Sequence, residues 1–228
     1  MKKKFLATYL TGLMILASMG IASASSIDVG FNRVTANVPL NIGSQLHLSI
    51  LDEGSAGAQY SIDIDANQVL FIFTNVIGVS SNISEIYIDD GDLAFDRDQI
   101  INSISGTTNF TSGANPSNLP GANLLSPDFE ANPDLSIDAQ GGSSLGINAP
   151  EDILGIVFDV SPSVSILNNI KAALISGDLR IGLHVRAIDN VTSDAYVNTS
   201  PVPEPATMFL FGTSLVGLVG AVRKRGKK

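Results

Sequence analysis

Hydrophobic positions between Ser25 and Ser200 fall into short runs, some alternating with polar residues and some continuous, separated by Gly, Asn, Asp, Ser and Pro. Alternation with a period of two marks a strand with one buried face, and a short apolar run bounded by turn residues marks a strand buried on both faces. The pattern predicts strands over 45–51, 59–65, 68–75, 83–89, 153–160 and 179–188, with Asp65, Ala66 and Asn67 as a hairpin turn between the second and third. In the last strand Leu179, Ile181, Leu183, Val185 and Ala187 share a core-facing side, while Arg180, His184 and Arg186 share the other with Gly182 and read as a solvent-facing set. One helix is expected over 163–176, because Val164, Leu167, Ile170 and Leu174 recur at helical spacing, Ser163 can cap the start and Gly177 the end. The segment 111–150 is rich in Asn, Gly, Ser and Pro and longer than an ordinary loop, with 135–138 as a short edge strand inside it. These elements define a mainly β fold, an antiparallel β-sandwich of jelly-roll-like type with one short helix.

Charge sharpens this picture. The chain of 228 residues has a formal net charge of −9, but eight of its thirteen Lys and Arg lie at the two ends. Between Ser25 and Ser200 five basic residues face twenty-one acidic ones, a formal charge of −16. A field of that sign repels nucleic acid and anionic surfaces, so no nucleic-acid partner is expected for this part. The absence of cysteine removes disulfides, thiolate metal sites and a thiol nucleophile.

The ends carry their own pattern. Lys2, Lys3 and Lys4 precede an apolar stretch to Ile21 and then Ala22-Ser23-Ala24, which reads as a signal peptide over 1–24 with small residues Ala22 and Ala24 at the cleavage site. An uncleaved anchor is the alternative. At the other end, residues 206–222 are seventeen uncharged positions, roughly 25 Å as a helix and at the short limit for crossing a bilayer core of about 30 Å. Arg223, Lys224 and Arg225 open a basic tail over 223–228 that places the C-terminus on the cytoplasmic side, which agrees with export of the acidic middle. Val202, Pro203, Glu204 and Pro205 precede the apolar run as a stiff extended element.

This combination over 201–228 resembles the PEP-CTERM sorting signal: Val202 to Pro205 match its motif, 206–222 its transmembrane helix and Arg223 to Arg225 its basic cluster. The resemblance implies that the chain is the substrate of an exosortase, a membrane processing enzyme, and that the middle segment 25–200 is an extracytoplasmic domain. It further implies an inner-membrane intermediate with a cytoplasmic C-terminus, followed by the cell surface or extracellular space. The segment 177–199 is also similar to a region common in one group of such substrates, whose central domain is uncharacterised.

Few residues in the middle suggest chemistry. Asp89, Asp90 and Asp92, followed by Asp96 and Asp98, could gather hard oxygen ligands for Ca²⁺, since close carboxylates repel unless a cation lies between them; a solvated acidic turn is the competing explanation. Asp63 and Asp65 with Asn67 form a weaker set of the same kind. Gly142 to Gly146 fits a Gly-x-Ser-x-Gly pattern, with Ser144 as nominal nucleophile and His184 and Asp189 as partners, but neither a hydrophobic strand before it nor a helix after it is expected. Zero Trp and few aromatics argue against a carbohydrate stacking platform built on Tyr60, Tyr87 and Tyr196, and His47 reads as an ordinary strand residue. Asn-x-Ser/Thr triplets at Asn82, Asn109, Asn190 and Asn198 read as chance in a chain rich in Asn and Ser. The expectation is an exported, non-enzymatic structural component of a biofilm or exopolysaccharide matrix, without a cofactor; a glycan- or calcium-binding surface module is the alternative.

Overall fold

The structure, a computed structural model, describes residues 26–76, 78–91, 93–141, 144–161 and 165–201. Signal and sorting segments, including Ala22, Ala24, Val202, Pro203, Glu204, Pro205, Arg223, Lys224 and Arg225, lie outside the described residues, as do Asp92, Ser163 and Val164.

Two antiparallel sheets face each other across a shared core. The first contains β1 (Ser26–Val29), β3 (Leu46–Leu51), β4 (Gln68–Asn75), β9 (Ile153–Ser161) and β6 (Ala94–Ser105), in that order. The second runs β2 (Phe31–Arg33), β11 (Thr192–Asn198), β10 (Arg180–Ile188), β5 (Asn82–Asp89), β8 (Ile137–Ala139) and β7 (Phe110–Ser112). Leu46, Leu48, Ile50, Phe71, Phe73, Ile156 and Phe158 point inward from the first sheet and meet Ile86, Ile88, Ile181, Leu183 and Val185 from the second. Burial on both faces explains why β4 and β9 read as continuous apolar runs: Leu70, Ile72 and Val157 face outward yet are buried in a second cluster.

That cluster corrects one predicted strand. Residues 59–65 pair with no strand; 53–60 instead form helix α1 (Glu53–Tyr60), and Tyr60, Ile62 and Ile64 lie on the outer face of the first sheet. Their alternation serves an extended chain laid on a sheet, without ladder hydrogen bonds. Asp63 and Asp65 are therefore exposed in an irregular segment, and the turn at 66–67 introduces β4 alone. The helix itself holds two glycines, Gly54 and Gly57, and depends on its ends: the Asp52 side chain accepts from Ser55 N at 2.9 Å, and Ser55 and Ala56 are buried. A second helix, α2 (Ile166–Ser176), is shorter at its start than predicted. Ile166, Ile170, Ala173 and Leu174 enter the main core, with Leu167 at its margin. Gly177 ends it at φ 85°, its N–H donating to the Ala173 carbonyl.

The sides of the two sheets are closed. On one side the chain passes directly from β1 to β2 through Gly30. On the other, Asn102 of β6 acts as a strand partner for β7: its Nδ2 donates to Phe110 O at 3.0 Å and its Oδ1 accepts from Phe110 N at 2.6 Å. Arg97 of β6 adds bonds to Ser136 O and Ser112 Oγ. These side-chain bonds tie the edge of the first sheet to that of the second.

The long segment 111–150 is mostly ordered cover. It includes β7 and β8, and β8 begins two residues later than the predicted edge strand and lies inside the sheet, between β5 and β7. Leu119 and Phe129 from this segment bury Tyr87 and Ala195 on the outer face of the second sheet. Gly182 permits the approach: a Cβ there would stand 3.0–3.1 Å from the Leu119 and Phe129 side chains.

Candidate functional site

The densest ionisable chemistry among the described residues lies on that covered face, where β5 and β10 pair. Their register sets Arg180 opposite Asp89, Gly182 opposite Tyr87 and His184 opposite Glu85. A bulge follows His184, so Ile83 and Ile86 both point inward while Glu85 points out. A second irregularity, after Val185, turns Ile188 into the core in place of Ala187, which adopts φ 52°. The Arg180, His184 and Arg186 face is thus not the open strand surface that alternation predicts.

Each charge on it has a structural partner. Arg180 pairs with Asp89, donates to Pro127 O at 2.7 Å and to Asp128 O, and lies 5.2 Å over the Phe129 ring. Asp89 also accepts from Glu130 N at 3.0 Å, and Tyr87 donates its hydroxyl proton to Pro116 O at 3.0 Å. Glu85, with a fully buried side chain, pairs with Arg186 and has His184 Nδ1 at 2.8 Å from Oε2. Arg186 reaches on to Asn115 O at 3.4 Å. The set is a clamp that holds segment 115–130 against the sheet.

Two carboxyls on neighbouring strands complete the electrostatics, because Glu85 stands opposite Asp138 of β8. Burial, then the Glu85 charge, push the Asp138 carboxyl above its usual range, against the opposing pull of Arg186, the Ala139 N–H and His184. Burial and the same two carboxylates push the Tyr87 phenol upward. A carboxyl raised in the folded state contributes stability below its unfolded value of about 3.9 and loses it as pH rises through the folded value. Asp138→Asn should therefore raise the melting temperature at pH 7, with the gain vanishing below about pH 3.5, as thermal melts across that range will show.

The other predicted sites are distributed differently. Asp89 is buried in the clamp and Asp90 Oδ1 accepts from Asn132 Nδ2 at 3.1 Å, whereas Asp96 and Asp98 are exposed on β6 in the opposite sheet. Among the described residues, no group of three or more His, Asp or Glu is placed to hold a metal ion. Asp96 does stand opposite Asp159 of β9, and Asn67 and Gln68 donate to Asp159 Oδ1 at 3.0 and 3.2 Å beside a shallow cleft of about 250 Å³. Ser144 is exposed and donates to Gly141 O at 3.2 Å; His184 faces Glu85, and Asp189 lies in the turn after β10. Two carboxylates that sequence reasoning passed over hold loops: Asp152 accepts from the backbone of Thr107, Asn148 and Ala149, and Asp194 from Thr35, Asn37 and Val38. Only an unusual density of nearby turn residues signals them.

The described domain ends beside the remaining chemistry of the chain. Thr199 N donates to Gly30 O at 2.8 Å, and Pro201, the last described residue, is buried. From this point, residues 201–225 match the family described as the PEP-CTERM protein-sorting motif. The chain thus carries a tag for export and membrane-associated sorting, processed by an exosortase. No curated protein and no solved structure matches the chain.

Proposed function

We propose that the chain is a non-catalytic structural component of a biofilm or exopolysaccharide matrix, delivered to the cell surface or extracellular space through its sorting signal. The sorting motif at 201–225 carries this reading. In it, 1–24 is a signal peptide removed on export, 206–222 crosses the membrane and 223–228 stays in the cytoplasm until processing. The domain's internal chemistry supports a passive role: Glu85, Asp89, Asp152 and Asp194 are each engaged in holding the fold. Seven of the ten connections between successive described strands pass from one sheet to the other, which favours the jelly-roll-like description.

Expected processing is testable on the native protein. Cell fractionation with intact-mass analysis should find the wild-type chain shortened at both ends and a Glu204→Ala chain retained in the membrane with its tail. A full-length tail in both defeats exosortase processing and leaves a plain anchor. Among the described residues, the opposed Asp96 and Asp159 are the feature that favours a calcium- or glycan-binding module. Calorimetric titration with Ca²⁺, followed by a glycan array with and without the ion, separates it from the structural role.

A further inference from the structure

The last residues of β11 do not trail away from the domain. Asn198 pairs with Phe31, its Oδ1 accepts from Ile181 N at 2.7 Å, and its Nδ2 donates to Thr199 O at 3.2 Å. Thr199 gives both its N–H and its hydroxyl proton to Gly30 O, at 2.8 and 3.3 Å. Two strands, β2 and β10, and the bend between β1 and β2 therefore pin the exit, and Pro201 is buried beyond it.

The sorting motif starts immediately after this clasp. Glu204 is three residues from Pro201 and Ala206 is five, so chain stereochemistry keeps them within about 11 and about 18 Å of it. A compact domain of this size has a radius of gyration near 16 Å and is about 40 Å across. The headgroup layer over each face of a bilayer core adds roughly 5–8 Å. With 206–222 in the membrane, as the reading above has it, chain length alone keeps a body about 40 Å wide within little more than ten ångströms of the lipid.

We propose that the folded domain gates its own processing: the Asn198–Thr199 clasp on Gly30 must open to deliver the motif to the processing enzyme. This rests on the exosortase reading above. The opening is local. Terminal strand residues unpair at the low end of the free-energy scale for partial unfolding. One wall of the clasp borders open space, a shallow cleft of about 370 Å³ lined by Gly30, Asn32, Asn41, Ser44, His47 and Thr199, so the departing chain has room to lift. The rate of processing is then the enzyme's rate on an open exit, scaled by the fraction of domains that are open.

The absence of cysteine allows a covalent test in the full chain. A Cβ placed on Gly30 lies 3.6 Å from Thr199 Oγ1, a spacing suited to a disulfide between Gly30→Cys and Thr199→Cys, and Gly30 does not need a left-handed conformation. Processing is followed by intact mass in cells that hold the enzyme. The oxidised double variant should mature at least about tenfold more slowly than either single variant, the residual rate following the fraction left unoxidised, and recover when reduced. A Gly-Ser spacer of about six residues between Ser200 and Pro201, adding up to ~20 Å of reach, should raise the rate several-fold. Equal rates for oxidised and reduced protein overturn the gate, and so does a spacer variant no faster than wild type. Glu204→Ala in parallel distinguishes the two levels: continued maturation of that variant defeats the sorting reading, whereas its arrest alongside equal rates for locked and unlocked chains defeats the gate alone.

Discussion

Arg180→Ala is expected to free the 115–130 segment and destabilise the domain by about 2–4 kcal/mol. Arg180 joins three groups at once: the Asp89 carboxylate on β5, the Pro127 and Asp128 carbonyls in the cover, and the Phe129 ring. Without it Asp89, buried at 8% exposure, keeps only the Glu130 N–H among these contacts. Phe129 and Leu119 would then lose the anchor that presses them onto Tyr87 and Gly182. Limited proteolysis under native conditions should cut within 115–130 several times faster, and the melting temperature should fall by roughly 5–12 °C. Arg180→Lys should recover only a part, because one ammonium on a flexible stem cannot replace the planar fork that serves separate acceptors. Proteolysis unchanged in Arg180→Ala would show that apolar contacts alone hold the cover.

This clamp also marks where a single chain of letters stops being informative. Period two on β10 correctly separates Leu179, Ile181, Leu183 and Val185 from Arg180, His184 and Arg186, but periodicity reports which side a residue takes and not what lies over that side. The polar face acquires its cover from segment 115–130, some fifty residues earlier in the chain, and neither composition nor spacing records that packing. Strands β4, β5, β9 and β10 are legible because their apolar runs are long and bounded by turns. By contrast, β6 is a polar strand made by pairing with β9, β1, β2 and β7 are too short to leave a pattern, and β8 is legible only as a short strand placed two residues early and at an edge. Helix α1 was hidden by its glycines, and the alternation of Tyr60, Ile62 and Ile64 imitated a strand because any extended chain on an apolar sheet alternates. The sorting motif was legible for the opposite reason: recognition by an enzyme depends on a local run of residues in fixed order, which tertiary context does not rewrite.

Phe158→Ala should be the most damaging single substitution in the interior, at about 3–5 kcal/mol. The ring is 1% exposed and packs edge-on against Phe71 at 4.9 Å between centroids and against Phe95 at 5.6 Å. Phe71 in turn touches Phe73 and Phe95, so truncation removes the shared neighbour of an aromatic group spanning β4, β6 and β9. Strands β4 and β9 lie mid-sheet and are buried on both faces around Phe158, which limits collapse into the cavity and places the expected cost at the high end. With total stability for a domain of this kind at about 5–15 kcal/mol, that is a large fraction of the whole, and no disulfide limits the unfolded chain to offset it. Phe158→Leu, which keeps most of the volume, should cost less than about 1.5 kcal/mol. Urea denaturation measures both, and an unchanged slope with a lowered midpoint identifies a loss of packing rather than a change in the unfolded state. The contrast bears on processing: if opening of the exit is local, Phe158→Ala at a temperature where it remains folded should mature at the rate of wild type. Faster maturation in step with its lost stability would instead mean that the enzyme acts on globally unfolded chains.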